Sequence, residues 1–377
     1  MNLKQDDAAW ALAAFEKIKT KVKAEALRSG DIIPYIPRDG RYFDLGWHEG
    51  ISWWTNGFWS GILWQLYNAT QDELFKEKAK VQETRLDAAM TEFNELHHDV
   101  GFMWLHASVT SYKLTGDKDS LRRALHAATI LAGRYNPVGR YISAWNGNKP
   151  GWMIVDCLMN IQLLFWASEE TNDPRFKHIA KAHLETCLKY VARPDGSCNH
   201  IIIFDPETGA LLDNPAGQGF ASGSSWSRGQ AWAVAGLPLS CRYTKDPAHL
   251  DAAKRVAHYF IANLAVSDWL PLVDFRAPQN PVKYDSSAAM IAACGLLELA
   301  SLVPELEKPL YANSAVKILR ACESKFANWD PETDGIMGNA CSAYHAEGED
   351  TNASIIYADY FFIEAVLRLL GKHLEAF

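Results

Sequence analysis

Apolar residues recur every three or four positions along almost the whole chain, and this helical period leaves little room for a sheet. The repeat runs through residues 10–18, 58–66, 73–93, 103–114, 121–131 and 158–166. It resumes through 176–190, 231–239, 252–264, 288–299, 311–326 and 355–370. Twelve helices are expected, with strand-like text confined to short pieces at 201–204 and 272–275. Four helix ends carry Thr-x-Asp followed at once by a charged amphipathic helix: Thr70/Asp72, Thr115/Asp117, Thr171/Asp173 and Thr244/Asp246. The Asp suits an N-cap, and Pro174 and Pro247 suit the first helical position. The first helix of each pair is apolar nearly all round, whereas the second has a polar face. Inner helices ringed by outer ones give that contrast, so an all-α (α/α)6 barrel of six hairpins is expected. An open α-solenoid is the competing layout, but it does not need such uniformly apolar inner helices.

No linker or charge block divides the 377 residues, which predicts a single domain over 1–377, with 1–50 as an N-terminal helix and loop. With 48% hydrophobic and 22% charged residues the chain reads as globular. Its formal charge of −8 and lack of a basic run argue against a nucleic-acid surface. Seven scattered Cys without a CxxC pair read as reduced, mostly buried thiols. No basic, long apolar leader opens the chain, and no uncharged stretch reaches a membrane span. A cytoplasmic protein, monomeric or weakly homo-oligomeric, is expected.

If the Thr-x-Asp turns mark one end of the barrel, the loops leading into the inner helices share the other end. Those loops hold Trp53-Trp54-Thr55-Asn56-Gly57, His97-His98-Asp99-Val100-Gly101, Val155-Asp156-Cys157, the stretch Ser224 to Trp232, Tyr284-Asp285-Ser286-Ser287 and Thr351-Asn352-Ala353-Ser354. Any one of them reads equally well as a helix cap. Six together, interleaved with Trp, His and Arg, read as the lining of a polar, aromatic-walled pocket. Asp156 lies in the apolar run Trp152-Met153-Ile154-Val155-Asp156-Cys157-Leu158-Met159. Desolvation there, with a second carboxylate nearby, raises an Asp pKa towards the range of a general acid. Asp99 is the candidate second carboxylate, with an N-cap as its plain alternative. His97, His98 and Asp99 are expected to point apart and to hold no metal, and no cofactor motif occurs.

Five ordered motifs, Trp54-Thr-Asn-Gly-Phe-Trp-Ser-Gly, His97-His-Asp-Val-Gly-Phe, Ile154-Val-Asp-Cys-Leu-Met-Asn, Trp226-Ser-Arg-Gly-Gln-Ala-Trp and Tyr284-Asp-Ser-Ser-Ala, resemble the unsaturated glucuronyl hydrolases of glycoside hydrolase family 88. The resemblance runs from about Trp54 to Leu370. It implies a barrel acting on the short oligosaccharides left by polysaccharide lyases, whose non-reducing uronic acid carries a C4=C5 double bond. By motif position it makes Asp156 the residue that hydrates this vinyl ether and Asp99 its essential partner. It also implies substrate contacts at Trp54, His98, His200, Gln218, Trp226, Arg228, Trp232, Tyr344 and His345. Arg228, at a helix start between two Trp, reads as a bidentate seat for the uronate carboxylate, or else as the partner of a structural carboxylate such as Asp285. Trp226 and Trp232 are expected to offer stacking surface. The family's late Trp-Gly-Asp-Tyr reads Tyr357-Ala-Asp-Tyr here, and a Ser-x-x-Ser-x-Lys pattern associated with sulfate tolerance is absent, which leaves the leaving sugar and its sulfation open. Rival readings are an unsaturated rhamnogalacturonyl hydrolase, a sugar 2-epimerase on the same fold and a non-catalytic glycan-binding barrel.

Overall fold

The middle residue of each Thr-x-Asp turn adopts a left-handed conformation: Gln71, Gly116, Asn172 and Lys245 have φ of 59°, 71°, 56° and 51°. The chain thereby reverses, and each following Asp side chain accepts the N–H two residues on, from Leu74, Asp119, Arg175 and Ala248. In three turns the Thr hydroxyl also accepts the Asp N–H, at 3.2, 3.2 and 3.3 Å. Four tight inner-to-outer reversals follow directly from local chemistry.

This computed structural model describes residues 4–377 apart from Glu49, Glu92, Phe93, Glu349, Asp350 and Glu375. Among the described residues twelve principal helices occur: α1 (Gln5–Ser29), α2 (Phe58–Thr70), α3 (Glu73–Arg85), α4 (100–115, with a π-helical turn at Leu105–Val109), α5 (Lys118–Ala132) and α6 (157–171). The others are α7 (Pro174–Tyr190), α8 (Ser227–Thr244), α9 (Pro247–Ala265), α10 (Ser286–Leu302), α11 (Lys308–Phe326) and α12 (Ile356–Leu369). The helix expected over 73–93 stops at Arg85 and continues as a 3-10 turn, Leu86–Thr91; its expected last residue lies outside the described residues.

Helices α2, α4, α6, α8, α10 and α12 contact one another in sequence, and α12 returns to α2, closing the inner ring. Each is backed by an outer helix. Five pairs are consecutive hairpins, but the sixth is made by the first and last helices, α1 packing on α12. The N-terminal segment therefore supplies the sixth outer wall. Burial matches these positions: every residue of α8 from Ser227 to Cys241 and of α10 from Ser286 to Ala300 is buried. Outer α5 buries only the stripe Ser120, Ala124, Ala127, Ala128 and Leu131. Close inner packing depends on glycines. A Cβ on Gly57, Gly101, Gly236 or Gly295 would come within 2.2–2.7 Å of its neighbour on the next inner helix, Met103, Asn160, Leu158 or Val234.

Two small antiparallel sheets sit at the loop-rich end. β1 (Tyr135–Asn136) pairs with β2 (Tyr141–Ile142), and β3 (Trp152–Ile154), β4 (Ile201–Phe204) and β5 (Leu211–Asp213) lie in that order. The register Ile154↔Ile201 sets Asp156, just after β3, close to His200, just before β4. The strand-like text at 272–275 forms isolated bridges, Leu272↔Tyr284 and Trp226↔Asp274, because the Asp274 carboxylate bends the chain by accepting the N–H groups of Phe220, Ser225 and Arg276.

Candidate active site

Asp99 and Asp156 each stand immediately before an inner helix, yet neither side chain caps it. Their carboxylates are free for other work. Asn160, one turn beyond Asp156, ties the Asp99 carboxylate to the Asp156 backbone. Its Oδ1 accepts the Phe102 N–H at 2.8 Å, which turns Nδ2 towards Asp99 Oδ1 at 2.8 Å and the Asp156 backbone carbonyl at 3.4 Å. Both side chains are nearly enclosed, with 11% and 15% exposure left at the mouth. Burial pushes the pKa of Asp156 up to about 7, reinforced by the charge of Asp99 and opposed by Arg228. Burial likewise pushes Asp99 up to about 7, against the Asn160 hydrogen bond and the charge of Arg134. Two desolvated carboxylates this close share their titration, with apparent values belonging to the pair.

Histidines surround them in neutral form. Burial lowers His97 to about 4, His200 to about 3 and His98 well below its usual range. His98 Nε2 lies 3.4 Å from Asp99 Oδ1 without hydrogen-bond alignment. His200 Nδ1 lies 3.0 Å from the Gln218 N–H nitrogen and 3.3 Å from Ala216 O, and Nε2 lies 3.9 Å from Asp156 Oδ1. Neither of those facing atoms has another partner. Gly217 permits this contact: its φ is +60°, and a Cβ there would lie 2.2 Å from His200 Nδ1.

Two loops complete the rim. Gln218 Nε2 donates to Ser342 O at 2.6 Å, Tyr344 N–H to Gln218 O at 2.9 Å, and His345 Nε2 lies 2.9 Å from Phe220 O.

Arg228 is the anchor beneath them. Its Nη1 pairs with Asp285 Oδ2 at 3.0 Å and also donates to Cys341 O, while Nη2 donates to Ser342 O. The guanidinium is buried, so the arrangement matches the alternative of a structural carboxylate partner rather than an open bidentate seat. Asp285 in turn caps α10 through Ser287.

The aromatic residues divide in the same way. Trp54 stays half-buried against Tyr357, Phe58 and Phe102. Trp226 is only 3% exposed, with Arg228 4.5 Å and His200 4.4 Å from its ring. Trp232 is fully buried between Phe102 and Phe361 and offers no face to a ligand, which corrects its expected stacking role. Position in α8 explains the difference: Trp232 lies more than a turn inside the packed ring. Tyr344 and His345 remain on the rim, partly exposed.

The ligand-type atoms of His97, His98 and Asp99 converge within 4.8 Å, contrary to the expectation that adjacent side chains diverge. The tight turn before α4 brings them together. Two of the donors are already engaged within the protein: His97 Nδ1 accepts the Asp99 N–H, and Asp99 Oδ1 accepts from Asn160. Two surface clefts of about 570 and 490 Å³ lie on the outer wall beside α1, away from the carboxylates.

The family model for Glycosyl Hydrolase Family 88 matches residues 38–294, a span that holds both carboxylates. The chain belongs to glycosyl hydrolase family 88. It is 36% identical to the unsaturated glucuronyl hydrolase of Bacillus sp. (strain GL1) over 350 residues, covering 90% of this chain and 91% of the relative. Identity is also 36% over 326 residues to the unsaturated chondroitin disaccharide hydrolase of Streptococcus pneumoniae (strain ATCC BAA-255 / R6), covering 84% of this chain and 81% of the relative. Among solved structures, a mutant unsaturated glucuronyl hydrolase from Streptococcus agalactiae complexed with dGlcA-GalNAc6S superposes with a TM-score of 0.81 at 29% identity, covering 95% of this chain and 92% of that one. For a family 88 glycoside hydrolase the motifs located the carboxylates but not everything that holds them. Asn160 was visible only as the last residue of a motif, although its i+4 spacing from Asp156 puts it one turn along the same helix. Asp274, which pins the 220–225 loop, carried no signal beyond being an acid in a strand-like run.

Proposed function

We propose that this glycoside hydrolase removes the non-reducing-terminal 4,5-unsaturated uronic acid from lyase-generated glycosaminoglycan-type disaccharides and short oligosaccharides. The observation that carries the reading is the pair of buried carboxylates, Asp156 and Asp99, the second fixed by Asn160, both with pKa values raised to about 7 at the mouth of a family 88 barrel. The names of its relatives supply the substrate class.

At neutral pH a carboxyl group with a pKa of about 7 is populated in both forms. Protonated Asp156 gives its proton to C4 of the vinyl ether, and water adds at C5, returning a proton to the carboxylate. The C4=C5 bond is thus replaced by C4–H and C5–OH, with no net proton change. The resulting hemiketal opens and releases the neighbouring sugar. Asp99, fixed by Asn160, receives the ring hydroxyls and keeps the pKa of Asp156 high. Neutral His200 presents Nε2 to the Asp156 side of the substrate. Trp54, His98, Gln218, Trp226, Tyr344 and His345 frame the uronate, and Arg228 sets the positions of the rim loops. No cofactor enters this scheme.

The protein acts as one domain, as a monomer or weak homo-oligomer. Seven buried, unpaired thiols suit a reducing cytoplasm, and no helix among the described residues is long and apolar enough to cross a membrane. The test is loss of the enol-ether absorbance with lyase-made disaccharides from chondroitin, hyaluronan, heparin and gellan. Turnover of at least one, with release of the leaving sugar, is the expected result. A folded protein that turns over none of them overturns the reading.

A further inference from the structure

The loop between β2 and β3 carries a cation that the proposed chemistry does not use. Lys149 Nζ lies 4.9 Å from the ring centroid of Trp145 and 4.8 Å from that of Trp152, and the two indoles meet edge to face at 5.8 Å. No ion pair joins Lys149 to a carboxylate among the described residues. The ammonium rests against two π faces, with N–H donors left over.

Its position is tied to both carboxylates. Ala144 N–H donates to Trp152 O at 2.7 Å, and Trp152 N–H to Lys149 O at 3.1 Å, which closes the loop. On one side, Ala144 O accepts the His98 N–H at 3.2 Å, next to Asp99. Asn146 adds bonds to Leu96 O and Asn94 O, both 2.8 Å. On the other side, β3 leads from Trp152 directly to Asp156. Trp145 and Trp152 pack on Ala144, Ile154, Ile201 and Ile203, an apolar wall between the Asp99 turn and the Asp156–His200 strands. Lys149 sits on top of that wall.

A sugar whose uronate ring engages Asp156 and Asp99 has to carry its leaving residue outwards past such a wall. We propose that Lys149, on its Trp145–Trp152 platform, is a binding site for an anionic substituent, a sulfate ester or carboxylate, on the leaving sugar. This rests on the hydrolase reading above. An ammonium with no acidic partner gives up little when it meets an anion, and a point charge with rotatable donors accepts an anion at more than one ring position. The site lies on a different loop from the late segment that lacks the Ser-x-x-Ser-x-Lys pattern, so anion recognition does not depend on that pattern.

The experiment compares unsaturated disaccharides whose leaving hexosamine carries no sulfate, a 4-sulfate or a 6-sulfate, using the full chain and its Lys149→Ala, Lys149→Gln and Lys149→Arg variants. For at least one sulfated substrate, Lys149→Ala and Lys149→Gln should raise KM roughly tenfold, with kcat changed less than about twofold. The unsulfated disaccharide should respond less than about twofold in either parameter, and Lys149→Arg should restore most of the sulfated KM. Equal effects on sulfated and unsulfated substrates would show a loop-stiffening role and overturn the proposal. So would a wild type that neither turns over nor is inhibited by any sulfated disaccharide. Failure of folded wild type on every substrate tests the hydrolase reading instead, since Lys149 plays no part in that chemistry.

Discussion

At Asp156 burial and neighbouring charge act in the same direction, and the result is a carboxylate that titrates near neutrality. Asp156→Asn should keep the helical circular-dichroism signal and lose roughly a thousandfold or more in kcat, because the group that gives and takes the proton is gone. In wild type, kcat/KM should fall as pH rises through about 7, where Asp156 loses the proton it must donate. Asp99→Asn removes the charge that raises Asp156, so the alkaline limb of the residual activity should move to lower pH. The same shifts affect stability. A carboxylate with a raised folded-state pKa favours folding fully below its unfolded value of about 3.9, and that contribution is lost as pH climbs to about 7. Thermal melts should therefore show Asp156→Asn gaining stability over wild type at pH 8, on the order of 1–4 kcal/mol, and little at pH 4. Arg228 calls for a different measurement. Its removal leaves Asp285 buried without its charge partner, so Arg228→Ala should lose about 3–5 kcal/mol in denaturant titration. Methyl esterification of the uronate should then penalise wild type and any folded Arg228 variant equally; a penalty confined to wild type would return Arg228 to the role of carboxylate reader.

The two ends of each inner helix carry different burdens. At the Thr-x-Asp end the Asp caps satisfy backbone N–H groups and make ion pairs far from the carboxylates, so Asp246→Ala should cost about 1 kcal/mol in stability and leave kcat and KM unchanged. At the opposite end, backbone spacing and chemistry are coupled. A Cβ on Gly101 would come within 2.4 Å of Asn160 Oδ1 and 2.5 Å of its Cα, displacing the amide that fixes the Asp99 carboxylate beside the Asp156 backbone. Gly101→Ala should cost about 1–3 kcal/mol from overpacking and should also depress kcat. Steady-state kinetics on the two variants separates these outcomes: equal activity would show that Asn160 does not set the carboxylate geometry.

Closure of the barrel depends on contacts between the two ends of the chain. Buried Lys21 on α1 donates to Asp330 O at 2.6 Å and Thr333 O at 2.7 Å, and Glu25 accepts the Gly335 N–H at 2.8 Å. Lys21→Met should therefore lower stability by roughly 1–3 kcal/mol through lost charge-assisted hydrogen bonds, with KM unchanged below the melt. Helix positions, the capped turns and the division into inner and outer helices were legible from the sequence, because periodicity of 3.6 and Asp N-caps are local properties. Ordered motifs likewise pointed to Asp156 and Asp99, and the family resemblance to His200, before any contact was known. Other outcomes depended on residues far apart in the chain. Whether Arg228 faces substrate or Asp285, 57 positions away, depends on which groups the closed ring brings to its guanidinium. Trp232 looks like Trp226 in sequence, yet depth within the ring places Trp232 wholly inside the core and Trp226 beside Arg228 and His200. The partner of α12 is α1, at the other end of the chain, a pairing no local pattern encodes. Local hydrogen bonding and hydrophobic period set the elements and most of the candidate chemistry; burial and long-range pairing, which exist only once the ring closes, decided which side chains remain free to act.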